Sequence, residues 1–156
     1  MMLPHVWMSE DAAIDFLKNN LVGRLATCDA DGQPYVIAVN YVYHEGKVYF
    51  HSKNSGHKLD NLAVNARVCF EVSRVDELVI QANPCKSSTR YSSVVVFGQA
   101  GLLEHPEEKA AVLNAIMASH AGGKDIHPVT VPMADSCAVI AITITKLTGK
   151  RNLHPA

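Results

Sequence analysis

The segment Pro34-Tyr35-Val36-Ile37-Ala38-Val39-Asn40-Tyr41-Val42-Tyr43 constrains the fold more than any other stretch of the chain. Its β-branched and aromatic residues suit a pleated, half-buried surface, and Pro34 occupies the first position, where a strand tolerates it. A strand this long needs partners on its edges. Gly23 to Cys28 precedes it across Asp29-Ala30-Asp31-Gly32, whose Asp-Gly pair suits a positive-φ bend, and Lys47 to Ser52 follows across His44-Glu45-Gly46. Three strands on short turns predict an antiparallel meander.

The same patterning predicts strands over Arg67–Ser73, Ser92–Ala100 and Cys137–Thr145, the last before a basic tail from Lys146 to Arg151. Asn83 to Thr89 reads as a polar loop. Three helices punctuate the strands. Ser9 is an N-cap with Glu10 and Asp11 in the first turn; Ala12, Ala13, Phe16, Leu17 and Asn20 follow helical spacing until Gly23. A second helix opens at Ser55-Gly56-His57-Lys58, with Leu59, Leu62, Ala63 and Ala66 as its buried stripe. The third starts at His105-Pro106-Glu107-Glu108, carries Ala110, Leu113, Ile116, Met117 and His120 on one face, and stops at Gly122-Gly123. Ala121 to Asp135 reads as a loop. The expected fold is mainly β, a small six-stranded antiparallel barrel with flanking helices.

The chain has 156 residues, which predicts one domain over residues 1–156 with a core that needs no metal or disulfide staple. Fourteen basic residues against fifteen acidic ones give a net charge of -1, which argues against nucleic acid or an anionic membrane surface as partner. No apolar run approaches the roughly 20 residues of a spanning helix. The N-terminal segment, interrupted by Ser9, Glu10, Asp11 and Asp15, does not read as a signal peptide. Cys28, Cys69, Cys85 and Cys137 form no C-x-x-C pair and read as reduced thiols, so the expected location is cytoplasmic.

The stretch from Tyr49 to Lys58 is the richest in chemistry. A strand ends, a polar turn follows and a helix begins; the free N–H groups and dipole of a helix start favour an anion. Ser52 and Ser55 add hydroxyls, Gly56 permits close backbone approach, and Lys53 or Lys58 supplies charge. Phosphate fits this chemistry, and so does an ordinary capped helix with solvated lysines. The eight histidines include no H-x-x-x-H pair and no H-E-x-x-H helix, so no metal site is expected. Cys85 beside Lys86 reads either as a low-pKa thiol or as an ordinary loop residue. Lys86 and Arg90 read either as contacts to an anion or as solvated loop charges. No G-x-S-x-G elbow supports hydrolase chemistry.

Val22-Gly23-Arg24-Leu25-Ala26-Thr27, Gly32-Gln33-Pro34-Tyr35 leading into Val39-Asn40-Tyr41, and Tyr49-Phe50-His51-Ser52 followed by Gly56-His57-Lys58-Leu59-Asp60-Asn61-Leu62 together resemble the pyridoxamine 5'-phosphate oxidase-like flavin-binding split barrels. Ser93 to Ala100 and Leu147-Thr148-Gly149-Lys150-Arg151 resemble two further signatures of the nitroimidazole-reductase-like branch. The resemblance spans about residues 10–151. It implies a homodimer of split β-barrels with FMN at the subunit interface. By position, His51, Ser52 and Lys58 would hold the FMN phosphate with His57 nearby, and the strand through Val36, Val39 and Asn40 would run beside the flavin ring. Tyr91, Ser92 and Ser93 would approach from the partner subunit, and Lys150 or Arg151 would complete the anionic site. The residues Asn152 to Ala156 do not match the longer aromatic- and arginine-rich terminus of vitamin B6 oxidases, which turns the expectation away from that reaction.

These implications give an FMN-dependent oxidoreductase. Its electron donor would be a nicotinamide nucleotide and its acceptor a small planar molecule, with no side chain singled out as a catalytic acid or base. Two other readings stay open: a non-catalytic FMN- or heme-binding protein for sensing, storage or trafficking, and a dimeric scaffold without cofactor. Some relatives take heme or a deazaflavin in place of FMN.

Overall fold

The computed structural model describes residues 5–153. In chain order its elements are β1 (Val6–Trp7), α1 (Glu10–Lys18), β2 (Val22–Cys28), β3 (Pro34–His44), β4 (Lys47–Ser52), α2 (His57–Val64), β5 (Arg67–Val79), β6 (Ser88–Leu102), α3 (Pro106–His120), α4 (Val131–Ala134) and β7 (Ala138–Asn152). Six strands run antiparallel in the order β7-β4-β3-β2-β5-β6, and β6 pairs back onto β7, so the sheet closes on itself. The two-residue β1 adds to β7 beside the ring. This is the expected six-stranded barrel with flanking helices, plus one short strand that a two-residue pattern cannot announce.

The turns of the meander follow their residues. Gly32 has φ 85°, and the Asp29 carboxylate accepts the N–H groups of Asp31 and Gln33 at 2.9 Å each. Glu45 and Gly46 both take positive φ, 47° and 80°, as a two-residue hairpin whose twist matches its strands requires.

Alternation along each strand divides the side chains between two cores. Leu25, Val39, Tyr41, Val48, Phe50, Val68, Phe70, Val94, Val96, Ile140 and Ile142 fill the barrel interior, and Ala13, Phe16 and Leu17 of α1 pack against them. The Ser9 hydroxyl accepts the Ala12 N–H to start α1, and the Tyr41 hydroxyl donates to the Leu17 carbonyl at 2.6 Å. Burial pushes the Tyr41 phenol well above its usual range, so it stays a donor. A second core lies outside the barrel, where Ala110, Val112, Leu113 and Ile116 of α3 cover Tyr49, Val139 and Ala141. Residues Ala138 to Ile142 are buried on both faces for this reason.

Several boundaries differ from the sequence expectation. Lys146 to Arg151 is no tail: it continues β7, and its residues pair with β6 or with β1. Charged side chains hid a strand whose outward face is open to water. β5 and β6 run past Ser73 and start before Ser92, forming a longer hairpin around a single 3-10 turn at Pro84–Lys86. Gly23 lies inside β2, and α1 ends at the Asn19 C-cap. Met117 is 40% exposed, and Ala121 to Asp135 contains the one-turn α4.

Gly23 is required for a steric reason. A Cβ there would overlap the ring of Phe70, which has no solvent exposure and no room to retreat. Gly23→Ala should destabilise the fold by about 2 kcal/mol or more, read as a lower urea midpoint with unchanged m.

Candidate functional site

The barrel wall opens between β3 and β4. β4 pairs with β3 only from Tyr41↔Phe50 to His44↔Lys47, whereas β2 pairs with β3 along Pro34–Asn40. The Tyr41 N–H donates to Leu21 on the β2 side, so by antiparallel alternation the backbone groups of Val36 and Ala38 point the other way. That edge has no strand beside it among the described residues. Val36, Ala38 and Asn40 also turn their side chains outward and are exposed, Val36 at 60%. Val39 points into the barrel and is buried, so only its backbone is available to a ligand.

β4 departs from this edge to become α2. His51, near the end of β4, is exposed, and its ring makes no hydrogen bond among the described residues. The half-buried Ser52 donates its hydroxyl to the Lys53 carbonyl at 2.7 Å, so the hydroxyl must rotate before it can donate to a ligand. Gly56 is the N-cap of α2 at φ 134°, a conformation open to glycine, and its carbonyl accepts from Leu59 and Asp60. No side chain caps this start, and the His57 and Lys58 N–H groups have no backbone acceptor among the described residues. Lys58 is half-buried and Lys53 exposed, and neither is in an ion pair among the described residues. The His57 ring stacks on Tyr35, centroids 4.3 Å apart and planes 21° apart.

The expected apolar stripe of α2 is weaker than its spacing suggests. Leu59 and Leu62 are half-buried, Ala63 and Ala66 exposed, and the fully buried residue is Asn61. Asn61 donates to the Thr27 hydroxyl at 2.9 Å, a buried polar contact that periodicity of apolar residues could not reveal.

The remaining expected residues lie elsewhere on the ring. Tyr91 and Ser93 face outward on β6, and Lys150 sits opposite Ser93 on β7 with its ammonium 5.7 Å from the Tyr91 ring. Ser92 faces inward and is buried, opposite Arg151, whose Nε is buried without a partner among the described residues. β2 and β5 stand between β3 and Tyr91, Ser92 and Ser93 on β6, whereas Lys150 and Arg151 are on β7, beyond Thr143, the last β7 residue opposite β4. Three inter-strand spacings of about 4.8 Å separate β3 from β6, too far for the two groups to hold the same atom within one chain. Arg90 pairs with Glu77 at 3.0 Å, and Lys86 is exposed.

One outer face of the barrel carries no helix. Across it Val36, Ala26, Cys69 and Phe97 stand opposite one another on four adjacent strands, an apolar row with Phe97 45% exposed. Arg24 and Glu71 pair at 3.6 Å in the next row.

A closed antiparallel ring of six strands, split where β4 leaves β3 and flanked by helices, is the split-barrel architecture. The family model for pyridoxamine 5'-phosphate oxidase matches residues 9–151, and the chain belongs to that family. No curated protein matches it significantly. Among solved structures it is similar to a candidate 5-nitroimidazole antibiotic resistance protein from Bacteroides thetaiotaomicron, with 27% identity and TM-score 0.81 over 95% of this chain and 87% of that one. An FAD-binding protein from Mesorhizobium loti shares the fold at 23% identity and TM-score 0.72, over 96% of this chain and 99% of that one. The FAD and heme binding protein from Mycobacterium smegmatis does so at 19% and 0.84, over 96% and 74%. No helix among the described residues is long and apolar enough to cross a membrane.

Burial first, then the nearby Glu71 carboxylate, pushes the Cys69 thiol up, whereas Cys85 is exposed. Less Cys69 is therefore thiolate at mildly alkaline pH. Iodoacetamide at pH 8 should label Cys85 before Cys69 in peptide mapping, and the reverse order would contradict this placement.

Proposed function

We propose that the chain is an FMN-dependent oxidoreductase working as a homodimer, with a nicotinamide nucleotide as electron donor and a small planar molecule as acceptor. The observation that carries this reading is the gap between β3 and β4: an open backbone edge at Val36 and Ala38 leads to the uncapped start of α2. A flat heterocycle with polar edges suits the first, and a phosphate suits the second. FMN, when bound, supplies the electron transfer; the chain supplies a binding edge, an anion site and a surface that limits water.

In this reading His51, Ser52 and Lys58 hold the phosphate. Asn40 and the backbone of Val36 to Asn40 meet the ring, with Val39 contributing through its main chain. Asp60 also lies in the first turn of α2 and opposes an anion there, so the charge of Lys58 has to outweigh it. Tyr91, Ser93, Lys150 and Arg151 come from a second copy: β2 and β5 keep the β6 residues from the first group within one chain, and Lys150 and Arg151 lie beside them, past the part of β7 that pairs with β4. Ser92 takes part only through its backbone, its side chain being turned inward. The apolar row from Val36 to Phe97 offers the contact surface for that copy. The name of the nitroimidazole relative agrees with a small planar acceptor. The four free cysteines agree with a cytoplasmic location, and the ring of strands sharing one interior agrees with one domain.

A second reading, a non-catalytic flavin- or heme-binding protein, is favoured by one observation. The exposed ring of His51 makes no hydrogen bond among the described residues, so nothing orients it as an acid or base.

The absorption spectrum of the purified protein, with mass analysis of what heat releases, is the first test. Two flavin bands and FMN, followed by bleaching with NADH or NADPH and reoxidation by a nitroaromatic acceptor, are the expected result. A Soret band, or a flavin that neither nucleotide reduces, would move the assignment to the second reading. Lys58→Ala should weaken FMN binding by about 1.5–3 kcal/mol, the scale of a charge-assisted hydrogen bond, in fluorescence titration. Phe97→Asp should convert a dimer to a folded monomer in sedimentation velocity, with loss of bound flavin.

A further inference from the structure

α2 has eight residues and no side-chain cap; half-buried Leu59 and Leu62 pack against the barrel core and hold the helix to it, but such apolar contacts leave its register to another cause. Two contacts supply it, and they match each other in geometry. His57 and Asn61 are four residues apart and share one face of the helix. Tyr35 and Thr27, which they touch, are direct cross-strand partners on β3 and β2 and share one face of the sheet. His57 stacks on Tyr35 at 4.3 Å, and Asn61 donates to Thr27 at 2.9 Å, with Asn61 and Thr27 each 3% exposed. Two neighbouring points on the helix therefore meet two neighbouring points on the sheet. A single contact would leave α2 free to turn about it; two fix both its rotation and its height.

We propose that Thr27, Tyr35, His57 and Asn61 form a clamp that positions the first turn of α2 for phosphate, a role for positioning residues that builds on the reading above. The clamp holds the N–H groups of His57 and Lys58 and the Lys58 side chain toward the gap. His57 acts through its stack on Tyr35, and Thr27 and Asn61 never touch the ligand. The polar half of the clamp is direction-specific. A hydrogen bond between buried groups is satisfied at one register only, whereas an apolar contact tolerates sliding.

The test compares FMN with riboflavin, which shares the ring and lacks the phosphate, on the full chain stripped of cofactor. Thr27→Val keeps the shape, removes the acceptor and orphans Asn61; Thr27→Ser restores the hydroxyl. Tyr35→Leu removes the stack; Tyr35→Phe keeps it. Thr27→Val and Tyr35→Leu should each lose about tenfold or more in FMN affinity with riboflavin affinity held within about threefold, and the two conservative variants should bind both ligands like the parent. Equal losses for both ligands, or no loss in either disruptive variant, would overturn the clamp. Should Thr27→Val fail to fold, Tyr35→Leu against Tyr35→Phe carries the same comparison. A parent that binds FMN no more tightly than riboflavin overturns the phosphate reading itself, and the clamp's purpose with it. A parent that discriminates beside variants that discriminate equally overturns the clamp alone.

Discussion

Pairing of β6 with β7 closes the sheet, and the rest of the molecule depends on that closure. It runs from Tyr91↔Asn152 to Leu102↔Ile140 and removes the two edges that an open antiparallel sheet would expose. Two strands of this length stay in register only by bending. The bend falls between Phe97 and Gly98, where Thr145 is the extra residue in β7 and its hydroxyl donates to the Phe97 carbonyl at 3.0 Å. Gly98 sits there with no room for a Cβ against the Thr143 backbone and Ile142. Once the ring is closed, the strands can carry one apolar core inside and another beneath α3.

Closure makes the opening between β3 and β4 informative. β4 is short, and after Ser52 the chain leaves the wall to form α2. The same departure produces two features at one place: an unpaired edge on β3 and a helix start facing it. Neither feature is unusual alone. Together they provide polar backbone groups along a flat edge with a positive dipole at one end, which gives the phosphate-bearing flavin reading its physical basis. Helices cover the outer surface over β4 and the first part of β7, and the face over β3, β2, β5 and β6 is left open for a second copy.

Much of the fold was legible because the responsible signals are local. Asp31-Gly32 and Glu45-Gly46 name their turns, Ser9 and Pro106 mark helix starts, and the run from Pro34 to Tyr43 can only be a strand. The core positions of β3 and β7 follow from alternation and from a continuous apolar run. Legibility failed where residue type and environment part company. Lys146, Lys150 and Arg151 read as a solvated tail, yet they are strand residues whose backbone bonds are supplied by β6 or β1. Asn61 lies outside the apolar stripe that the helical spacing names, and its burial rests on a hydrogen bond to Thr27, thirty-four residues away.

The sequence by itself determined the six barrel strands without their full extent, the turns of the meander, three helix starts and the family, since each rests on residues within one short window or on their order along the chain. It also brought His51, Ser52 and Lys58 into one segment, where a strand ends and a helix begins. The tertiary structure alone decided which of the expected site residues meet. It turned Val39 and Ser92 inward, set His57 against Tyr35, and put β2 and β5 between Asn40 and Ser93. Those outcomes depend on the order of strands around the ring and on which face each residue presents. Both are fixed by long-range pairing and packing, for which no short stretch of sequence carries a signal.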